Sequence, residues 1–145
     1  MKKFKFDLEK ILDLRKLHEE ECKVALGRAI SILNEIESDI LKTASERHSA
    51  AVKKFQDISN LILWDNYILR LDRQSEQLME QAAQAEIIVE EKRAEYIEAS
   101  RELKALEKIR EMKTEEYKKK AEAERAAEID ELISSRMTMQ IRNNN

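Results

Sequence analysis

The stretch Asp57-Ile58-Ser59-Asn60-Leu61-Ile62-Leu63-Trp64-Asp65-Asn66-Tyr67 decides the fold of this chain. Asp57, Ser59, Asn60, Asp65 and Asn66 are weak helix formers whose side chains bond their own backbone and cap helices. Leu61 to Trp64 stand in a row and break the helical spacing of apolar residues on either side. No other stretch offers such a break. The 145 residues include one Gly and no Pro, so the ordinary means of turning are missing. Multi-stranded sheets and looped active sites need many turns and are disfavoured on that count. The reversal is expected within residues 57–67, joining a first helix over about residues 5–58 to a second over about 67–138.

Outward from the turn, both arms carry helical periodicity. Leu8, Ile11, Arg15, His18, Cys22, Ala25, Ala29, Ile32 and Ile36 step by alternating threes and fours, a heptad seam. Leu26, Ile30, Leu33 and Ile40 widen it, and Ala44, Ala51, Phe55 and Ile58 continue it less cleanly. The second arm has Leu71, Ser75, Leu78, Ala82, Ala85, Val89, Lys92, Tyr96, Ala99, Leu103 and Leu106, then slips toward Ile109 and Met112. Pairs such as Glu19–Lys23 and Glu116–Lys120 support helix by about 0.2–0.5 kcal/mol each. The pattern predicts an all-α fold, two long helices forming an antiparallel coiled-coil hairpin in a single domain. With the turn centred near residue 62, Cys22, Ala25 and Ala29 should face Tyr96, Ala99 and Leu103. Gly27, among small neighbours, is expected to mark close approach of the helices.

The arms are unequal. A fold-back near residue 62 leaves the charged run Tyr117–Glu128 and the stripe Ile129, Leu132, Ile133 and Met137 beyond the first helix. Residues 142–145 have no apolar anchor and are expected to be disordered.

Charge and composition exclude several functions. Lys plus Arg total 27 and Asp plus Glu total 30, a net charge of −3, which does not suit nucleic acid. The run Leu61–Trp64 is far short of the roughly 20 apolar residues that cross a bilayer, so no direct membrane insertion is expected. The basic start, Met1 to Lys5, leads into charged residues rather than the apolar core of a signal peptide. The lone Cys22 builds no disulfide framework and fits a reducing cytoplasm. His18 and His48 are separated by about 45 Å along one helix and cannot share a metal. His18 and Cys22 have the i, i+4 spacing of a metal pair but no further ligands nearby. A buried thiol is the simpler reading. The expectation is a non-enzyme without cofactor, catalytic residue or metal.

What remains are surfaces. Phe55, Trp64 and Tyr67 crowd the turn, either as a docking site or folded over as a plug. Phe4, Phe6 and Leu8 are placed to pack near Tyr117 on the second helix. The stripe Ile129, Leu132, Ile133 and Met137 needs a partner.

The two ends also resemble a known family. Phe4-Lys5-Phe6-Asp7-Leu8-Glu9-Lys10-Ile11-Leu12-Asp13-Leu14-Arg15 is similar to the opening of the flagellar export protein FliJ family: Phe, then Leu-x-Lys-hydrophobic-Leu-x-Leu-Arg. Tyr67 to Leu71 suits the start of its second helix. Lys104 to Glu111, followed by Tyr117, and then Glu124-Arg125-Ala126-Ala127-Glu128-Ile129-Asp130-Glu131, resemble its late segments. Ala126-Ala127 departs from the more polar character expected there.

The resemblance implies a cytoplasmic, antiparallel coiled coil of the type III export apparatus, like the central stalk of a rotary ATPase. Its implied partners are the hexameric export ATPase, the cytoplasmic domain of the export gate, and export chaperones. Its implied location is peripheral, at the inner-membrane flagellar base. On this reading the ATPase meets Lys10, Arg15, Arg110, Arg125, Asp130 and Glu131, and the export gate meets the turn at Phe55, Trp64 and Tyr67. The competing readings are a generic coiled-coil scaffold and the equivalent stalk of a virulence secretion system.

Overall fold

The structure is a computed structural model and describes residues 2–144. Helix α1 spans Glu9–Gln56, a single 3₁₀ turn covers Ile58–Asn60, and helix α2 spans Leu61–Asn143. The described residues contain no strand, so the chain is all-α. Residues 2–6 are irregular, and α1 starts at Glu9 rather than near residue 5; the Glu9 amide donates to the carbonyl of Phe6 at 3.1 Å. The run Leu61–Trp64 is the first turn of α2 and not part of the loop. Four apolar residues that break a heptad seam are still acceptable helix formers, so the reversal needs only residues 57–60. At its far end α2 reaches Asn143, running into the stretch expected to be disordered; Asn145 lies outside the described residues.

Packing divides the chain into two units, Leu17–Ser100 and Met1–Lys16 with Arg101–Asn145. In the first, α1 buries Cys22, Ala29, Thr43 and Ala50, while α2 buries Leu71, Ala85, Val89 and Ala99. Most are small. Thr43 is the one polar member, and its Oγ1 donates to the Asp39 carbonyl at 2.9 Å, so no polar group is left wanting. The seam expected on α2 from Leu71 to Ala99 is shielded at every position.

On α1 most of the expected seam faces inward, but Ile11, His18 and Ile32 do not. Cys22, Ala29 and Ile36 are shielded; the column Glu19, Leu26 and Leu33 is shielded throughout, while of the column His18, Ala25 and Ile32 only Ala25 is. Ile32 is 56% exposed. Nearer the turn Thr43 and Lys54 are shielded in place of the expected Ala44 and Phe55, and Ala50 is buried beside the half-buried Ala51. The two columns are equally periodic. Rotation of α1 about its own axis chooses between them, and the partner helix sets that rotation.

Two ion pairs join the helices in this unit. Arg47 Nε donates to Asp72 Oδ1 at 2.6 Å, and Lys54 pairs with Asp65. Both pairs centre between Ser59 and Asn60 rather than near residue 62. The short turn shifts the register accordingly, and Cys22 feels the charges of Glu95 and Lys92.

The second unit is built on Leu12, which is 1% exposed, and Phe6. Ile11 stays 43% exposed, the same one-column difference as in α1's other unit. On α2, Leu103 and Leu106 are half-buried as expected, but the slip does not lead to Ile109 and Met112, which are exposed. Thr114, Tyr117 and Ala121 are shielded instead. Every described residue after Ala121 is exposed.

Gly27 is not a close-approach position. It is exposed, and a Cβ built there meets nothing within 4 Å. Its helical backbone carries no positive φ, so the residue contributes only the entropic cost of Gly in a helix. Gly27→Ala should therefore stabilise the protein by roughly 1 kcal/mol. Thermal unfolding followed by circular dichroism should show a Tm raised by a few degrees. An unchanged or lower Tm would contradict the open surroundings of this residue.

Candidate interaction surfaces

The turn is organised by one carboxylate. Asp57 Oδ2 accepts from Asn60 Nδ2 at 3.0 Å and from Trp64 Nε1 at 3.3 Å, while Oδ1 accepts from Ser59 Oγ at 3.0 Å. These bonds, Asn60 first, then Trp64 and Ser59, hold the Asp57 carboxyl below the ordinary aspartate value of 3.8. The Trp64 ring stands edge-on to Tyr67 with centroids 6.2 Å apart, and Lys53 Nζ lies 6.0 Å from the Trp64 centroid. Trp64 and Tyr67 are half-buried in this arrangement. Phe55 is not part of it. It is 83% exposed, and Ile58, Ile62 and Leu63 beside the turn are exposed as well. The three aromatics therefore divide: two are held against the turn and one faces outward.

In the unit built on Leu12, Arg15 Nη1 donates to Glu102 Oε2 at 2.6 Å and Arg110 Nε to Glu9 Oε2 at 3.1 Å. Two of the candidate contact residues are thus already bonded within the chain, and Lys10, next to Glu9, is exposed. Phe4 packs on Tyr117 with ring centroids 5.4 Å apart, and the Tyr117 hydroxyl donates to the Lys2 carbonyl at 2.7 Å. Further along α2, Arg125, Asp130 and Glu131 are exposed and make no ion pair among the described residues. Around them Ile129, Leu132, Ile133 and Met137 are each at least 50% exposed. The structure does not bring these residues together with Lys10 or Arg15 through any bond.

Cys22 is buried, with Sγ 3.7 Å from His18 Nε2. Desolvation, followed by the Glu95 and Glu21 carboxylates, pushes its thiol upward; Lys92 pulls the other way. A thiol held protonated is a poor nucleophile and a poor metal ligand. The described residues contain no cluster of three or more His, Cys, Asp or Glu able to hold a metal, and no helix long and apolar enough to cross a membrane.

A family model described as the flagellar FliJ protein matches residues 4–142. The chain belongs to the FliJ family. No curated protein and no solved structure matches it. FliJ membership makes the chain a component of flagellar export, and the family is non-enzymatic. In this FliJ chain the residue that sequence reasoning undervalued is Asp57, read as one of five turn and capping residues, whereas its carboxylate makes no cap hydrogen bond and instead gathers side chains. The available signal was its spacing: donors stand two, three and seven residues later, at Ser59, Asn60 and Trp64. Glu9 and Glu102 were equally unmarked, because the pairing of distant charges depends on register.

Two outcomes follow for the turn. Trp64→Ala should lower Tm by several degrees, since a half-buried ring and its hydrogen bond are lost, while Phe55→Ala should leave Tm nearly unchanged. Because folding lowers the Asp57 pKa, the native state binds fewer protons than the unfolded chain. Its contribution is present above pH 3.8 and is lost as pH falls through the lower folded value. The Tm difference between wild type and Asp57→Asn, measured from pH 6 downward, should therefore shrink below about pH 4.

Proposed function

We propose that this chain is the stalk-like, non-catalytic component of the flagellar export apparatus that binds and stimulates the hexameric export ATPase. On this reading the two helices form one antiparallel coiled-coil hairpin. Ion pairs joining early α1 to the middle of α2 and late α1 to early α2 support that arrangement. A stiff asymmetric element inside a sixfold ring touches unlike subunits differently, and so biases assembly and nucleotide turnover without chemistry of its own.

The observation that carries the reading is the uncovered stripe Ile129, Leu132, Ile133 and Met137 in a chain of a flagellar export family. Lys10, Arg15, Arg110, Arg125, Asp130 and Glu131 are the proposed ATPase contacts. Arg15 and Arg110 act while holding Glu102 and Glu9, so they present an ordered face. The surface at Phe55, Trp64 and Tyr67 is proposed to meet the cytoplasmic domain of the export gate. Phe55 is the exposed anchor there, and the other two rings are held against the turn. Export chaperones are further partners, and the place of action is the cytoplasmic side of the flagellar base.

ATP hydrolysis by the purified export ATPase, titrated with this protein, tests the proposal. Asp130→Lys with Glu131→Lys should raise the half-saturating concentration about tenfold, the scale of losing an interface anchor, with helicity unchanged by circular dichroism. Stimulation that survives this change rejects the assignment of the late α2 surface. No stimulation by the wild type would favour a plain scaffold.

A further inference from the structure

The chain is acidic overall, yet one groove gathers Lys2, Lys3, Lys5, Lys113 and Lys120 around a single carboxylate, Glu116. All five lysines are exposed, and none makes an ion pair among the described residues. Their assembly is not electrostatic in origin, since like charges repel. It is imposed by Tyr117, whose ring packs on Phe4 and whose hydroxyl binds the Lys2 carbonyl at 2.7 Å. These contacts pin the irregular N-terminal segment to α2 and set its lysines beside those of the helix. Repulsion held in place by an aromatic anchor favours binding of a polyanion, which relieves it.

From this we infer that the groove between the N-terminal segment and α2 is a docking surface for an anionic lipid bilayer. The cation type argues for a lipid surface over an acidic protein segment. Arginine, with its planar fork, suits specific carboxylates, and the arginines of the same unit, Arg15 and Arg110, are so used. The groove contains lysine alone, a flexible point charge that suits a diffuse field of headgroups. Phe4, half-buried against Tyr117, adds an aromatic ring at headgroup depth. Binding is adsorption to the surface, without insertion of a helix. The inference stands independently of the ATPase reading.

Cosedimentation of the full chain with vesicles of phosphatidylcholine and phosphatidylglycerol in equal parts tests it, with pure phosphatidylcholine vesicles as the neutral arm. Binding should appear only with the anionic vesicles and weaken as salt rises. Each Lys→Gln change in the groove should weaken partition roughly fivefold, and all five together should abolish it. Lys42→Gln, an exposed lysine on α1, should change nothing. Tyr117→Ala keeps every lysine but releases the segment, and should weaken binding as well. Equal binding to neutral vesicles, full binding by the fivefold variant, or undiminished binding by Tyr117→Ala would each overturn the inference. So would capture of a polyglutamate peptide in place of the anionic vesicles.

Discussion

A helical chain with no proline and its one glycine far from the reversal can turn only where a side chain substitutes for them, and here the Asp57 carboxylate does so. Its oxygens collect Ser59, Asn60 and Trp64, satisfying donors that would otherwise compete for the backbone at the start of α2. The turn is short because one acceptor serves three donors within seven residues. That shortness sets the register of the flanking helices, visible in Arg47–Asp72 and Lys54–Asp65. The Trp64 ring is drawn onto the turn by the same carboxylate, which leaves Phe55 outside.

Within each unit the helices are held by little apart from a narrow seam. The interhelical ion pairs are 31–51% exposed at their side chains, and such pairs contribute about 0–1 kcal/mol each. Their role is to select register. Stability comes from burying Leu12, Leu71, Val89 and the small residues between them. Two helices can cover only one stripe of each other, so many aliphatic side chains remain in contact with solvent. Exposure of an isolated Leu or Ile in this protein is therefore uninformative. Contiguous patches are informative, and two stand out: the residues around Phe55 and the stripe from Ile129 to Met137.

The unit containing the N-terminal segment combines three chemistries on neighbouring surfaces. Arginine–carboxylate pairs order its helices, an aromatic pair pins an irregular backbone segment, and five lysines gather around a single carboxylate. In a flagellar export component such division is physically economical. Specific pairs define shape, apolar patches supply contact area, and unpaired charge provides attraction at longer range.

Much of this was determined by the sequence alone. The scarcity of turn residues and the 3.5-residue repeat demand two long helices broken once near Asp57, and the motifs at both ends mark the family. The column Leu71 to Ala99 was legible from its regular steps of three and four residues. Other features were decided by tertiary structure. Leu12 rather than Ile11 is buried, and Glu19 and Leu33 rather than His18 and Ile32 are shielded, because rotation of a helix about its axis is set by its neighbour. Gly27 lies open to solvent for the same reason. The partners of Arg15, Arg110 and Tyr117 lie about a hundred residues away in the chain, and so does the meeting of Lys5 with Lys113. Periodicity along one helix contains no information about the register of another, and register is what brings those charges together.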